Sequence, residues 1–157
     1  MHRVSFADPD LTLEVDPADP PGFRAAMARV GPQLGATQTG MSLYEIPPGE
    51  AICPYHYEHA EEEWLLVLSG RPSVRTPEGI SELAPLDALF FPLGPDGAHQ
   101  VRNDCDEPAR VVMWSTVVVP AVSVYPDSDK IGVWTAGKVD NALFERGSAV
   151  DYFQGEG

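Results

Sequence analysis

No stretch of this chain runs far without a turn-forming residue: sixteen Pro and fourteen Gly break its 157 residues into short segments rich in Val, Leu, Phe, Trp and Tyr. Segments this short, dense in β-branched and aromatic residues, read as strands. The predicted strands are Met41 to Ile46, Ala51 to Glu58, Glu63 to Ser69, Ser73 to Thr76, Ala88 to Phe91, His99 to Arg102 and Ala109 to Val119. Their connections, such as Pro47-Pro48-Gly49, Pro77-Glu78-Gly79 and Gly94-Pro95-Asp96-Gly97, leave no room for crossover helices, so the chain is expected to be all-β, a barrel or sandwich. Before the first strand, Asp8-Pro9, Asp16-Pro17 and Asp19-Pro20-Pro21 keep the chain extended or turning, and only Gly22 to Val30 looks helical. The expected organisation is one domain with an N-terminal arm and short helix over 1–40, a barrel core over 41–119 and a C-terminal arm packed on it over 120–157.

Twenty-four acids against ten Lys and Arg set a formal charge of −14, which argues against nucleic acid or an anionic membrane as partner. Neither an apolar run long enough to span a membrane nor a signal-peptide pattern is present, so a soluble, cytoplasmic protein is expected. Cys53 and Cys105 are too few and too far apart for a disulfide scaffold or a thiolate metal site, and are read as reduced thiols.

Three of the four histidines and a patch of acids gather at Tyr55-His56-Tyr57-Glu58-His59, Glu61-Glu62-Glu63 and Ala98-His99. Strand alternation points His56 and Glu58 to one side and Tyr57 and His59 to the other. Glu63 shares its face with Leu65 and Val67; pairing of the two strands across the turn at Ala60 to Glu62 is expected to bring it to His56 and Glu58. A divalent metal is the natural reason to gather such groups. Arg71, Arg75 and Arg102 are read as surface ion-pair partners, and His2 as a structural residue.

Gly49, His56-Tyr57-Glu58, Glu63 and Gly70 resemble the first cupin motif, and Pro92-Leu93-Gly94, His99 and Asn103 resemble the second; the resemblance covers Met41 to Ser115 and is strongest to small single-domain bacterial cupins. It implies a double-stranded β-helix, or jelly-roll, barrel around a divalent metal. Two positions depart from the pattern. Leu86 stands where the second motif has Gly, altering a turn between Pro85 and Asp87, and Glu58 stands in the slot of a second His. Because a one-residue slip reverses the face, the expected ligands are His56, Glu58, Glu63 and His99, with His59 replacing Glu58 only if a bulge re-aims it. That set suits manganese, iron, zinc or nickel.

Without a nucleophile motif or a phosphate-binding glycine loop, any chemistry is expected to run through the metal, with Glu58 or Glu63 handling protons. The resemblance implies an oxygenase, isomerase, epimerase or decarboxylase acting on a small polar molecule. Two other readings stand beside it: a non-catalytic ligand-binding module, and a barrel whose metal site has decayed, marked by Glu58. Small cupins commonly pair, and the apolar second face of Trp64, Leu66 and Leu68 adds to the expectation of a homodimer.

Overall fold

The computed structural model describes residues 1–7 and 11–157; the Asp8-Pro9 turn lies outside the described residues. Twelve strands follow in chain order. They are β1 (Ala26–Arg29), β2 (Thr39–Ile46), β3 (Tyr57–Glu58), β4 (Glu63–Ser69), β5 (Ser73–Thr76), β6 (Gly79–Glu82), β7 (Ala88–Phe91), β8 (Gln100–Arg102), β9 (Ala109–Thr116), β10 (Ala121–Tyr125), β11 (Lys130–Trp134) and β12 (Ala142–Glu145). Helical structure is confined to short 3-10 turns, and among the described residues no helix is long and apolar enough to cross a membrane.

A five-stranded antiparallel sheet in the order β1-β2-β9-β4-β7 forms one wall. The other is built from two smaller sheets, β12-β11-β10-β3 and β6-β5-β8. Those two meet at a backbone bridge in which His56 N–H donates to His99 O (3.1 Å) and His99 N–H to His56 O (2.8 Å), continued by Ile52 N–H to Val101 O. Ile46, Leu65, Val67, Phe91 and Val111 of the first wall pack against Val74, Leu83 and Val101 of the second, giving the jelly-roll sandwich its main core.

The chain folds into β1 where a helix was expected at Gly22 to Val30. Ala, Met and Arg are good helix formers, but propensity is overridden by tertiary context: pairing with β2 satisfies the backbone and buries Ala28 and Val30. Ala51 to Glu58 is not one strand either. Pro54 cannot donate to a ladder, leaving isolated bridges at Ala51 and His56 before β3. The segment after Pro120 is more than an arm: β10 to β12 form an antiparallel meander that pairs through β10 with β3, covering Tyr55 and Tyr57 with Val124 and Ile131. At the other end the N-terminal residues Val4, Phe6, Leu11 and Leu13 lie over Leu43, Val112 and Leu68 on the outer face of the five-stranded sheet. The chain itself thus covers part of the apolar second face. Trp64, stacked on Trp114 at 5.9 Å and against Phe90 at 4.6 Å, stays partly exposed beyond it.

Asn103, fully buried, ties the loops at one end: its Nδ2 donates to Ile46 O and Glu107 O, and its Oδ1 accepts from Cys105 N–H. Leu86 sits at the third position of a turn closed by Asp87 N–H to Ala84 O, with Pro85 before it and φ at +74°. That is a type II turn, whose third position is built for glycine, and Leu86 gains nothing from burial there, being 77% exposed. Replacing a strained left-handed Leu relieves roughly 1–2 kcal/mol, partly offset by the entropy of Gly. Leu86→Gly is expected to raise the thermal midpoint by about 2 °C in a calorimetric scan; a lowered midpoint would contradict the strain.

Candidate metal centre

His56 and His99 stand directly opposite one another in their two-residue bridge, so their side chains leave the second wall on the same side, ring centroids 4.8 Å apart. The same device fixes both rings. The Nδ1 of His56 lies 3.0 Å from Pro54 O, and that of His99 3.0 Å from Gly97 O, in each case a carbonyl two residues upstream. Each Nδ1 therefore carries the proton and each Nε2 presents a lone pair to the barrel interior. Gly97 is needed for this geometry, because a Cβ there would meet Pro92 O at 1.7 Å. Phe91 stacks on the His99 ring at 3.7 Å and holds its plane.

Glu63 reaches the same space from the first wall. On β4 it faces inward beside Leu65 and Val67, and its Oε2 lies 3.8 Å from His56 Nε2 and 3.6 Å from His99 Nε2. It does not arrive by pairing of β4 with β3, as the sequence suggested. The turn after Glu58 carries the chain from one wall to the other, so the groups meet across the core while β3 pairs with β10. One donor atom from each of His56, Glu63 and His99 falls within 4.8 Å of the others. Three donors each about 2.1 Å from one ion lie roughly 3 to 4 Å apart, so the cluster needs only a small side-chain contraction to close on an ion. The fit has a second mark: His99 Nε2 is buried with no hydrogen-bond partner among the described residues, a costly state for a lone pair unless something binds it. These three residues could hold a divalent metal.

Glu58 stands beside this trio, its Oε1 3.8 Å from His56 Nε2. Ser123 of β10 donates its hydroxyl proton to that Oε1 (2.6 Å) and accepts from Trp134 Nε1–H of β11 (2.6 Å), while Glu58 Oε2 is buried without a partner among the described residues. Sequence reasoning missed Ser123, Trp134 and Gly97. His59 is exposed, one residue late on the other face, with its ring against Tyr57 and away from the cluster. Arg71, Arg75 and Arg102 pair with Glu82, Asp127 and Asp104 at the surface.

Burial dominates the electrostatics. It pushes the Glu63 carboxyl up to about 8, helped by Glu58 and Glu61. Glu58 rises to about 7 through burial, against the pull of the Ser123 hydrogen bond. Burial and then the His56 neighbour lower His99 to about 4, and burial lowers His56. The cluster is therefore close to neutral without a cation. A cavity of about 240 Å³ opens onto it, with Ser42, Tyr44, Cys53 and Ser115 among its walls. Burial raises the Tyr44 phenol and the Cys53 thiol to about 12 each, so both face the cavity protonated.

Residues 42–115 match the family model for the cupin domain. Polyketide synthase CurC of Streptomyces cyaneus is 34% identical over 91 residues, a match covering 58% of this chain and 57% of that protein, so the chain spans little more than half the length of this relative. Among solved structures, a protein from Acidithiobacillus ferrooxidans provisionally named a sugar phosphate isomerase superposes with a TM-score of 0.76 at 27% identity, over 83% of this chain and 82% of its own. A sugar phosphate isomerase of the cupin superfamily from Silicibacter pomeroyi superposes at 0.79 with 22% identity, over 89% and 91%, and shows the shared fold.

The carboxyl shifts make stability depend on pH. An unfolded glutamate loses its proton near about 4.3, so up to about 8 the unfolded state binds fewer protons than the folded one, and stability falls as pH rises. His99 and His56, both lowered by burial, act oppositely, but their effect is half complete at about 6.5, the unfolded histidine value, and nearly complete by about 7.5. Between pH ~7 and ~8 the carboxyls outweigh what remains of the histidine effect, and the metal-free protein is expected to lose thermal stability over that window. Glu63→Gln should flatten the slope; a wild-type midpoint that rises from pH ~7 to ~8 would contradict the buried, protonated carboxyls.

Proposed function

We propose that this chain, which carries a cupin domain over residues 42–115, is a metal-dependent isomerase of a small hydroxylated molecule of the sugar-phosphate type. The observation that carries this reading is the convergence of His56, Glu63 and His99 from two walls, with His56 and Glu63 lining a cavity whose further residues include Ser42, Tyr44 and Ser115. The likeness to the Acidithiobacillus protein supports the choice of substrate class. His56, Glu63 and His99 are assigned to hold the ion, which when bound polarises a substrate oxygen as a Lewis acid.

The remaining work falls to the chain's own groups. The protonated Tyr44 phenol and the Ser42 and Ser115 hydroxyls orient the substrate by hydrogen bonds. Glu58 handles the carbon-bound proton: an isomerisation removes one from the carbon beside a carbonyl and returns it to the former carbonyl carbon, while the hydroxyl proton passes to the former carbonyl oxygen. A base poised near 7 suits both directions of that transfer. Ser123, braced by Trp134, holds one Glu58 oxygen and leaves Oε2 to accept the proton. Glu58, which sequence alignment with the family motif places in a ligand slot, is thereby given a different task from the trio.

A second reading follows from the likeness to CurC: processing of a polyketide intermediate in the same cavity, whose walls include Met113 and Trp114. Turnover of a sugar phosphate and of a polyketide precursor by manganese-loaded protein separates the two.

Glu58→Gln is expected to keep wild-type metal content and lose at least about a hundredfold in turnover, the usual range for a general base. Loss of metal together with activity in Glu58→Gln would show Glu58 to be a ligand and remove the base assignment.

A further inference from the structure

The metal-facing cavity does not end at the cluster. A second cavity of about 470 Å³ adjoins it, and Gly40, Met41, Ser42, Tyr44 and Ser115 line both. Strand register explains the shape. On the inward face of the five-stranded sheet, Glu63 stands opposite Ser115, and Ser115 opposite Gly40. In the next row Leu65 stands opposite Met113, Met113 opposite Ser42, and Ser42 opposite Arg29. Deeper rows are filled by Ile46, Val67 and Val111. Two serines, a glycine and an arginine replace core packing on the way to the sheet edge, leaving a polar trough. Three inter-strand steps of about 4.8 Å separate β4 from β1, so the trough runs roughly 14 Å across the sheet, with Arg29 one row deeper than Glu63.

Arg71, Arg75, Arg102, Arg110 and Arg146 each pair with a carboxylate, whereas Arg3, Arg24 and Arg29 have no such pair among the described residues; of these three, Arg29, exposed at the trough's far end, lines the cavity. In a chain with 24 acids, that leaves a guanidinium with no carboxylate pair among the described residues on the wall of a cavity that adjoins the cluster; Glu61 also lines this cavity, its Oε1 accepting from Val118 N–H.

We propose that Arg29 is the anion subsite of this trough. It binds the terminal oxyanion of an elongated, hydroxyl-bearing substrate whose other end reaches His56, Glu63 and His99, with Ser42 and Ser115 bonding the hydroxyls between. The planar guanidinium fork matches two oxygens of a phosphate or carboxylate, which a single serine cannot. This assignment rests on the reading of the cluster as the reacting end.

The test is isothermal titration of a hexose, its 6-phosphate and the corresponding uronic acid into manganese-loaded wild type, Arg29→Gln and Arg29→Lys, with manganese affinity measured on each protein. Wild type is expected to bind one of the two anionic sugars at least tenfold more tightly than the hexose, the better anion identifying phosphate or carboxylate. Arg29→Gln should lose that preference with manganese affinity unchanged, and Arg29→Lys, keeping charge without the fork, should recover part of it. Equal binding of all three ligands by wild type, or a preference that survives in Arg29→Gln, would overturn the subsite. On its other side Arg29 borders a cavity walled by Glu14 and Asp16. A purely structural role there would appear as a lowered thermal midpoint with the anion preference intact, which also overturns the proposal. Failure of wild type to bind manganese while the Arg29-dependent preference persists would refute the metal reading and leave the subsite standing.

Discussion

Two backbone hydrogen bonds between His56 and His99 hold the centre of this structure. They join the sheet of β3 and β10 to the sheet of β5 and β8, and the same pairing puts two imidazoles side by side on the inner face. Each ring is then fixed by a carbonyl two residues back in its own chain, an arrangement repeated at both positions. Architecture and donor set are one feature here: a register slip at this bridge would separate the sheets and turn both rings away together. Glu63 depends on the opposite wall, where its inward orientation is set by Leu65 and Val67 in the core.

The site is costly to the fold. Four titratable groups are gathered where burial disfavours every charged form, and His99 Nε2 and Glu58 Oε2 lack hydrogen-bond partners among the described residues. Apolar residues would pack there at less cost. Proteins keep such clusters where a ligand repays them, and a cation would reverse the pKa logic, favouring the ionised carboxyls and using the free lone pairs. The exposed type II turn at Leu86 is a smaller strain, and nothing in the structure explains why Leu stands there.

Much of this was legible in the sequence because local signals agreed. The ends of β4, β5 and β7 coincide with the expected ones, since β4 and β7 are short apolar runs closed by Gly, Pro or acidic residues and β5 is bounded by Pro72 and Pro77. Alternation placed His56 and Glu58 on one side, and they lie 3.8 Å apart, while His59 faces away. What failed was non-local. β1 carries helix-favouring residues and becomes a strand only because β2 offers an edge, so Arg29 drew no notice on what looked like a helix. Ser123 reaches Glu58 through pairing across 65 residues, in a segment whose local pattern read as an arm. Glu63 was placed correctly for face and wrongly for route, because periodicity specifies which side of a strand a residue occupies and not which wall the strand joins.

The central claim is that His56, Glu63 and His99 together hold one divalent ion. It is tested most directly by elemental mass spectrometry of wild type and His99→Gln after incubation with manganese, iron, nickel and zinc and removal of unbound metal, folding being checked by circular dichroism. The account predicts about one ion per wild-type chain and a nearly metal-free, folded His99→Gln. A wild type that retains no metal, or a His99→Gln that retains as much as wild type, would contradict it.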